Sequence, residues 1–283
     1  MARQDALSIY TAEAGSTKTM DNLAEIYDEV IELVQKDAVS EKIKNKNYSG
    51  DPSTGSVEID RFANATVNAL GTARTATKGD MIKNSGKVTI NVDDDKEIVE
   101  EVAQKDLKLH GVDGIAEKRK VAHAKKVAAY LDTKFFTVAV SEGSAVTLGD
   151  GVTAIQDKLE ALIQDVETTQ NDWVDGVDRD MLVLCLTPAI YGQLENYIDS
   201  VPNSLTGLKD EYFHKVRVYS NHRQSVPAIC MIDGAIGQLV TTDEYGLEKI
   251  PLSNDYALEF FFSAGTKAVM PDLIKYLEGE ASL

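Results

Sequence analysis

"KVTINVDDDKEIVEEVAQKD", residues 87–106, decides how the rest of the chain is read. Val88, Ile90 and Val92 alternate with polar neighbours, the period of two expected of a half-exposed strand. Asp93, Asp94 and Asp95 follow, and block 93–106 holds seven acids against two lysines. A calcium loop alternates its oxygen ligands around a turn glycine and closes on a distal glutamate. Here the aspartates are contiguous and no glycine follows. Acids favour the positive end of a helix dipole, so the run is expected to open a helix or to lie in solvent. The competing reading is a metal-dependent hydrolase in which these three aspartates converge with Asp60 or Glu97 on one divalent ion.

Upstream, "SVEIDRF" (56–62) alternates in the same way through Val57 and Ile59. Between the two strands, "ANATVNALGTARTATKGDMIKNSG" (63–86) is rich in Ala, Thr, Asn and Gly and has no aromatic residue. It cannot build a core of its own. The pair reads as a long β-ribbon whose tip needs cover, most simply from another copy of the chain.

The flanking segments give helices and strands. Residues 1–19 read as an extended arm. "MDNLAEIYDEVIELVQ" (20–35) places Leu23, Ile26, Tyr27, Val30, Ile31 and Val34 on one helical face, with Asp21 or Asn22 as cap. From Gly111 a long helix is expected, capped by Asp113. Its apolar stripe is Val121, Ala124, Ala128, Leu131 and Phe135, and its alanines suit close packing on a sheet. "SEGSAVTLGDG" (141–151) reads as a domain boundary. Beyond it, 152–169 is helical, 180–186 a buried strand, and 187–198 a helix with Thr187 as cap and Pro188 in the first helical position. Segments 213–220, 228–233 and 256–263 read as strands. The pattern is α+β.

Composition excludes several classes. The net charge is −17, from 46 acidic and 29 basic residues. A broad nucleic-acid-binding surface is disfavoured, because such a chain repels phosphate. The local exception is "EKRKVAHAKK" (117–126), carrying Lys118, Arg119, Lys120, Lys125 and Lys126, whose face would meet acidic surface on a neighbouring copy or packaged nucleic acid. No apolar run approaches the roughly 18 residues of a membrane span, and "MARQDALSIYTAEAG" lacks the apolar core of a secretory signal. The cytoplasm is therefore the expected place of synthesis. Cys185 and Cys230 lie in apolar strand-like runs and read as buried free thiols, with a bridge between them as the alternative. His110, His123, His214 and His222 are scattered, and no nucleophile elbow, phosphate loop or zinc spacing occurs. No cofactor is expected.

The run "KVTINVDDDKEIVEEVAQKD…GIAEKRKVAHAKKVAAYLDTKFF" resembles the tailed-phage major capsid protein family. There a β-ribbon returns through an acidic segment to a long spine helix ending near an aspartate, here Asp132. "DMLVLCLTPAIYGQLE" and "FHKVRVYSNHR" are similar to that family's axial domain, and "SAGTKAVMPDLIKYLE" to its closing strand. The resemblance implies an N-terminal arm and helix over 1–46, an extended loop over 47–92, and a peripheral domain with spine helix over 93–145. An axial domain over 146–255 and a return to the peripheral domain over 256–283 complete it.

It further implies a non-enzymatic shell subunit forming hexamers and pentamers of an icosahedral virion head, assembled in the host cytoplasm around double-stranded DNA. Portal, scaffolding and decoration proteins would be its other partners, with DNA touched only non-specifically. Because the chain starts almost at the arm, scaffolding would come from a separate protein or be absent. The encapsulin shell of bacterial nanocompartments shares the fold and is the nearest alternative. On the shell reading, inter-subunit contacts fall to Asp60, Arg61, Arg74, Lys78, Lys83, Asp93, Asp94, Asp95, Lys118, Arg119, Lys120, Lys125 and Lys126.

Overall fold

A computed structural model describes residues 28–51, 54–65, 67, 69–70, 86–149, 151–200, 212–242 and 246–279. The arm, the caps Asp21 and Asn22, and the ribbon residues Arg74, Lys78 and Lys83 lie outside these residues. The chain forms two compact units. Among the described residues, one comprises those of 28–42, 92–132 and 239–265, the other those of 43–91, 133–238 and 266–279.

In the first unit, helix α1 covers 28–37 and a short helix α2 covers Ser40–Ile43. Strand β3 runs from Asp94 to Val102, and helix α3 from Gln104 to Glu142, passing into the second unit at Thr133. β10 (Gly246–Lys249) pairs antiparallel with β11 (Tyr256–Ala268), and β11 pairs antiparallel with β3. The β11–β3 register runs from Tyr256 opposite Val102 to Ala264 opposite Asp94. One face of this sheet carries Leu258, Phe260, Phe262 and Ala264, and it buries Ala124, Val127, Ala128 and Leu131 of α3 with Val30 and Val34 of α1. Alanine at 124 and 128 lets helix and sheet backbones approach closely, as the sequence implies. Val121, by contrast, is 45% exposed and does not belong to the buried stripe.

Three expectations are corrected here. The acidic run opens a strand, not a helix. Helix α3 also begins at Gln104, about seven residues before the expected Gly111, so Asp113 lies within it and is not its cap. Its first free amide, Gln104 N–H, donates to the carboxylate of Asp255 at 3.0 Å. A cap supplied from a residue 151 positions away has no local signature. Nor does α3 end near Asp132, since it continues to Glu142.

In the second unit, β1 (Ser56–Ile59) pairs antiparallel with β2 (Val88–Asn91), as read from the sequence. Val57, Ile59 and Ile90 are buried. Gly237 makes room for them, because a Cβ there would stand 2.3 Å from Ile90 Cδ1 and 3.0 Å from Ile59 Cδ1.

The main sheet of this unit has the order β4–β12–β8–β5–β7–β6. Its members are β4 (Ser144–Ala145), β5 (Leu182–Leu186), β6 (Tyr212–Phe213), β7 (Val216–Ser220), β8 (Ala228–Ile232) and β12 (Ile274–Tyr276). Helices α4 (Ile155–Glu167) and α5 (Pro188–Ser200) bring Leu159, Leu162, Ile163, Ile190 and Leu194 into one core with Leu184, Val218 and Cys230. β9 (Ile236–Thr242) belongs to the first sheet, where it pairs with β11.

Thr187 precedes α5 as expected, and its carbonyl accepts the Tyr191 amide at 2.9 Å. The side-chain cap is not formed: Thr187 Oγ1 is buried without a hydrogen-bond partner among the described residues. The single strand expected over 213–220 is a hairpin. His214 and Lys215 take φ of 47° and 76°, the left-handed pair of a tight two-residue turn. Cys185 lies opposite Ile229 and Cys230 opposite Leu184 in the β5–β8 ladder, so the two thiols point to opposite faces and cannot bridge. Neither is in a disulfide and both are buried, and burial pushes the Cys230 thiol well above its usual range.

Candidate functional site

Strand pleating sorts the acidic run. Asp94, Ile98, Glu100 and Val102 face α3, whereas Asp95, Glu97, Val99 and Glu101 point away and are exposed. Asp94 Oδ2 accepts a hydrogen bond from the Tyr130 hydroxyl, and its Oδ1 lies 2.8 Å from Lys96 Nζ. Burial and the Asp94 hydrogen bond push the Tyr130 phenol up to about 12. The Lys96 ammonium also sits 5.7 Å from the Tyr130 ring centroid. Asp95 accepts from the Ser263 hydroxyl at 2.6 Å on the other face. Neighbouring carboxylates that diverge and already hold partners do not form a shared cation cradle. Among the described residues, no three His, Cys, Asp or Glu side chains group as metal ligands.

The basic run on α3 divides in two. Arg119 Nε donates to Glu100 at 2.6 Å and its Nη2 reaches the other carboxylate oxygen, while Lys120 pairs with Glu29 of α1. Hydrogen bonding to Arg119 holds the Glu100 carboxyl below its usual range. Buried His123 stands with Nε2 3.1 Å from Glu100. Lys118, Lys125 and Lys126 are exposed. Two of the five cations thus fasten α3 to its own sheet and to α1.

Asp132 escaped the sequence reading as a functional side chain. It is fully buried on the apolar side of α3 and accepts the Ser40 and Val39 amides at 2.8 and 3.3 Å. Those amides open α2, so the carboxylate acts as a remote cap. An acid lying between Leu131 and Phe135 of the stripe was the available signal.

At the ribbon base, Asp60 is exposed and Arg61 is held inside the chain. Arg61 Nη2 donates to Asp272 Oδ2 at 2.8 Å, and Nη1 stands 2.7 Å from Oδ1. The guanidinium lies over the Trp173 ring, 5.1 Å from its centroid. Burial raises the Asp272 carboxyl, but hydrogen bonds from Arg61 and Asn171 outweigh it and leave the group below its usual range. Farther along the outgoing leg, Phe62, Val67 and Leu70 are 54%, 98% and 105% exposed.

A second network holds the main sheet to α4. Arg179 donates to Glu167 through Nε and Nη2 at 2.7 Å each and to Glu160 at 2.7 Å. His214 Nδ1 lies 3.0 Å from Glu160. Burial disfavours the Glu160 carboxylate, yet the bonds from Arg179, His214 and Gln164 bring it down to about 2. No local pattern signals this cluster, in which Arg179 and His214 lie 19 and 54 positions from Glu160.

No protein-family model matches the sequence, and no curated protein does. Solved structures do match. The capsid of a native GTA particle is 11% identical and aligns over 85% of this chain and 89% of its own at a TM-score of 0.59. The capsid of the cyanophage P-SCSP1u is 14% identical over 82% and 84% of the two chains, at 0.57. A virus-like particle from Pyrococcus furiosus is 12% identical over 90% and 98%, also at 0.57. With its ribbon, long helix and two sheets in this order, the chain has the major capsid fold of tailed phages.

Proposed function

We propose that this chain is a shell subunit, the major capsid protein of a tailed virus, which assembles into hexamers and pentamers of an icosahedral head around double-stranded DNA. The observation that carries this reading is the β1–β2 ribbon, set in a fold shared with capsids and bearing exposed Phe62, Val67 and Leu70. Apolar side chains left in water along a narrow ribbon gain burial only against another surface. Copies of the chain supply it. On this reading the chain is structural, not enzymatic, and its place is the virion capsid, assembled in the host cytoplasm.

The arm is then 1–46, the extended loop 47–92, the peripheral domain 93–145 with 256–283, and the axial domain 146–255. Portal, scaffolding and decoration proteins are further partners, and packaged DNA meets the inner surface without sequence preference. An acidic lining suits this, since it lets DNA slide without sticking. Of the proposed inter-subunit residues, Lys118, Lys125, Lys126, Asp60 and Asp93 are best placed, being exposed.

Electron microscopy of the purified full chain tests the reading, with closed shells or capsomers as the expected result. A strictly monomeric solution mass would overturn it. The second reading, an encapsulin-type nanocompartment, is favoured by alignment over 98% of the Pyrococcus virus-like particle chain. Particles from the native source separate the two: nuclease-protected DNA supports the virus, and enclosed protein cargo the compartment.

A further inference from the structure

The base of the ribbon is gripped from both legs. The outgoing leg leaves β1 at Ile59 and presents Arg61, whose guanidinium pairs with Asp272 and covers Trp173. The returning leg enters β2 through Gly86. A Cβ at Gly86 would stand 2.9 Å from Arg61 Cβ and 2.9 Å from Trp173 Cη2 and Cζ3. Any side chain there would wedge the arginine off the ring. Two further contacts fix the receiving surface. Asn171 Nδ2 donates to Asp272, and the Asn64 amide donates to the Asp172 carbonyl at 2.9 Å. The Arg61 side chain is only 12% exposed, so the ion pair works in a partly desolvated place, where charge attraction is stronger.

Open clefts flank this grip. A cleft of about 750 Å³ borders Asp60, Phe62 and Trp173, and another of about 510 Å³ borders Arg61, Asp172 and Pro271. Beside these clefts, the contacts of Arg61, Gly86 and Asn64 are placed to set the angle at which the two legs leave the β1–β2 pair.

We infer that Arg61, Asp272, Trp173 and Gly86 form a latch that fixes the exit direction of the ribbon, and that this direction sets the geometry in which copies of the chain meet. The second clause rests on the shell reading; the first stands without it. Arg61 is accordingly a positioning residue of its own chain.

Trp173 is the single tryptophan of the sequence, so its fluorescence reports the latch directly. Two variants of the full chain open it differently: Asp272→Asn removes the charge with little change of shape, and Gly86→Ala inserts the wedge. Each is expected to red-shift Trp173 emission and speed amide exchange at 60–64 and 86–88. In electron micrographs, uniform shells should give way to open or mixed-size assemblies. The charge exchange Arg61→Asp with Asp272→Arg should recover both properties in part. Wild-type emission and exchange in both single variants would overturn the latch. Altered emission with unchanged particles would overturn its link to assembly. If the unaltered chain forms no particles, the shell reading fails, while Trp173 emission still decides the latch.

Discussion

The two sheets solve the same packing problem with opposite economies of burial. In the first unit β3 alternates, with Val102 buried and Val99 49% exposed, because among the described residues only one face meets helices. In the second unit every residue of β5 from Leu182 to Leu186 is fully buried, and the strand reads as one apolar run. A one-sided sheet leaves room for charge, so β3 carries acids on both faces and spends those facing α3 on Tyr130, Arg119 and Lys96. A two-sided sheet has no such room, and its polar contacts move to the rim, at Arg179, Glu160 and Glu167.

The contrast can be broken most strongly in the cores. Leu184→Ala should destabilise the chain by about 2–5 kcal/mol, whereas Val99→Ala should stay within about 0.5 kcal/mol, both read from urea unfolding. Equal losses would show that the β3 outer face is covered. Overpacking sharpens the difference between helices: Ala128→Leu should cost about 1–3 kcal/mol, because that alanine is fully buried against the first sheet. Ala189→Leu on the exposed side of α5 should leave the melting temperature nearly unchanged.

A smaller effect concerns the start of α3. Asp255→Ala removes the acceptor of the Gln104 amide and should cost about 0.5–2 kcal/mol, with exchange accelerated over the first turn. Unaltered protection of Gln104 would mean that the cap is not what starts the helix. The smallest effect is acid sensitivity. Glu160 is held at about 2 against an ordinary 4.5, so its ionised form favours the folded state. That contribution is complete above pH 4.5 and is lost as pH falls toward 2. Glu160→Gln should flatten the pH dependence of unfolding within this window, and an unchanged slope would assign it to other carboxylates.

Much of the fold was written in local periods. The alternation around Val57 and Val88 gave the ribbon pair, and the stripe Leu159, Leu162, Ile163, Val166 gave α4. What resisted was whatever a distant residue supplies. The acidic run looked like a helix start because its charge suits a dipole, but nine ladder partners on β11 made it a strand. The turn at His214 and Lys215 lacked the usual Asn-Gly signal. Strands β9 and β10 were missed for want of a clear alternation. At the ribbon base Arg61 was expected to meet a neighbouring copy, and its partner within the chain, 211 positions away, was not legible.

By itself the sequence determined which segments are amphipathic, which thiols are buried, and that a weakly apolar ribbon separates two strands. Those properties follow from side-chain chemistry repeated at the helix or strand period. Tertiary structure alone decided where α3 begins, which carboxylates on β3 face a partner, and what holds the ribbon at its base. Each of these depends on an acceptor or a ring brought close by folding, and proximity in space leaves no period in the chain.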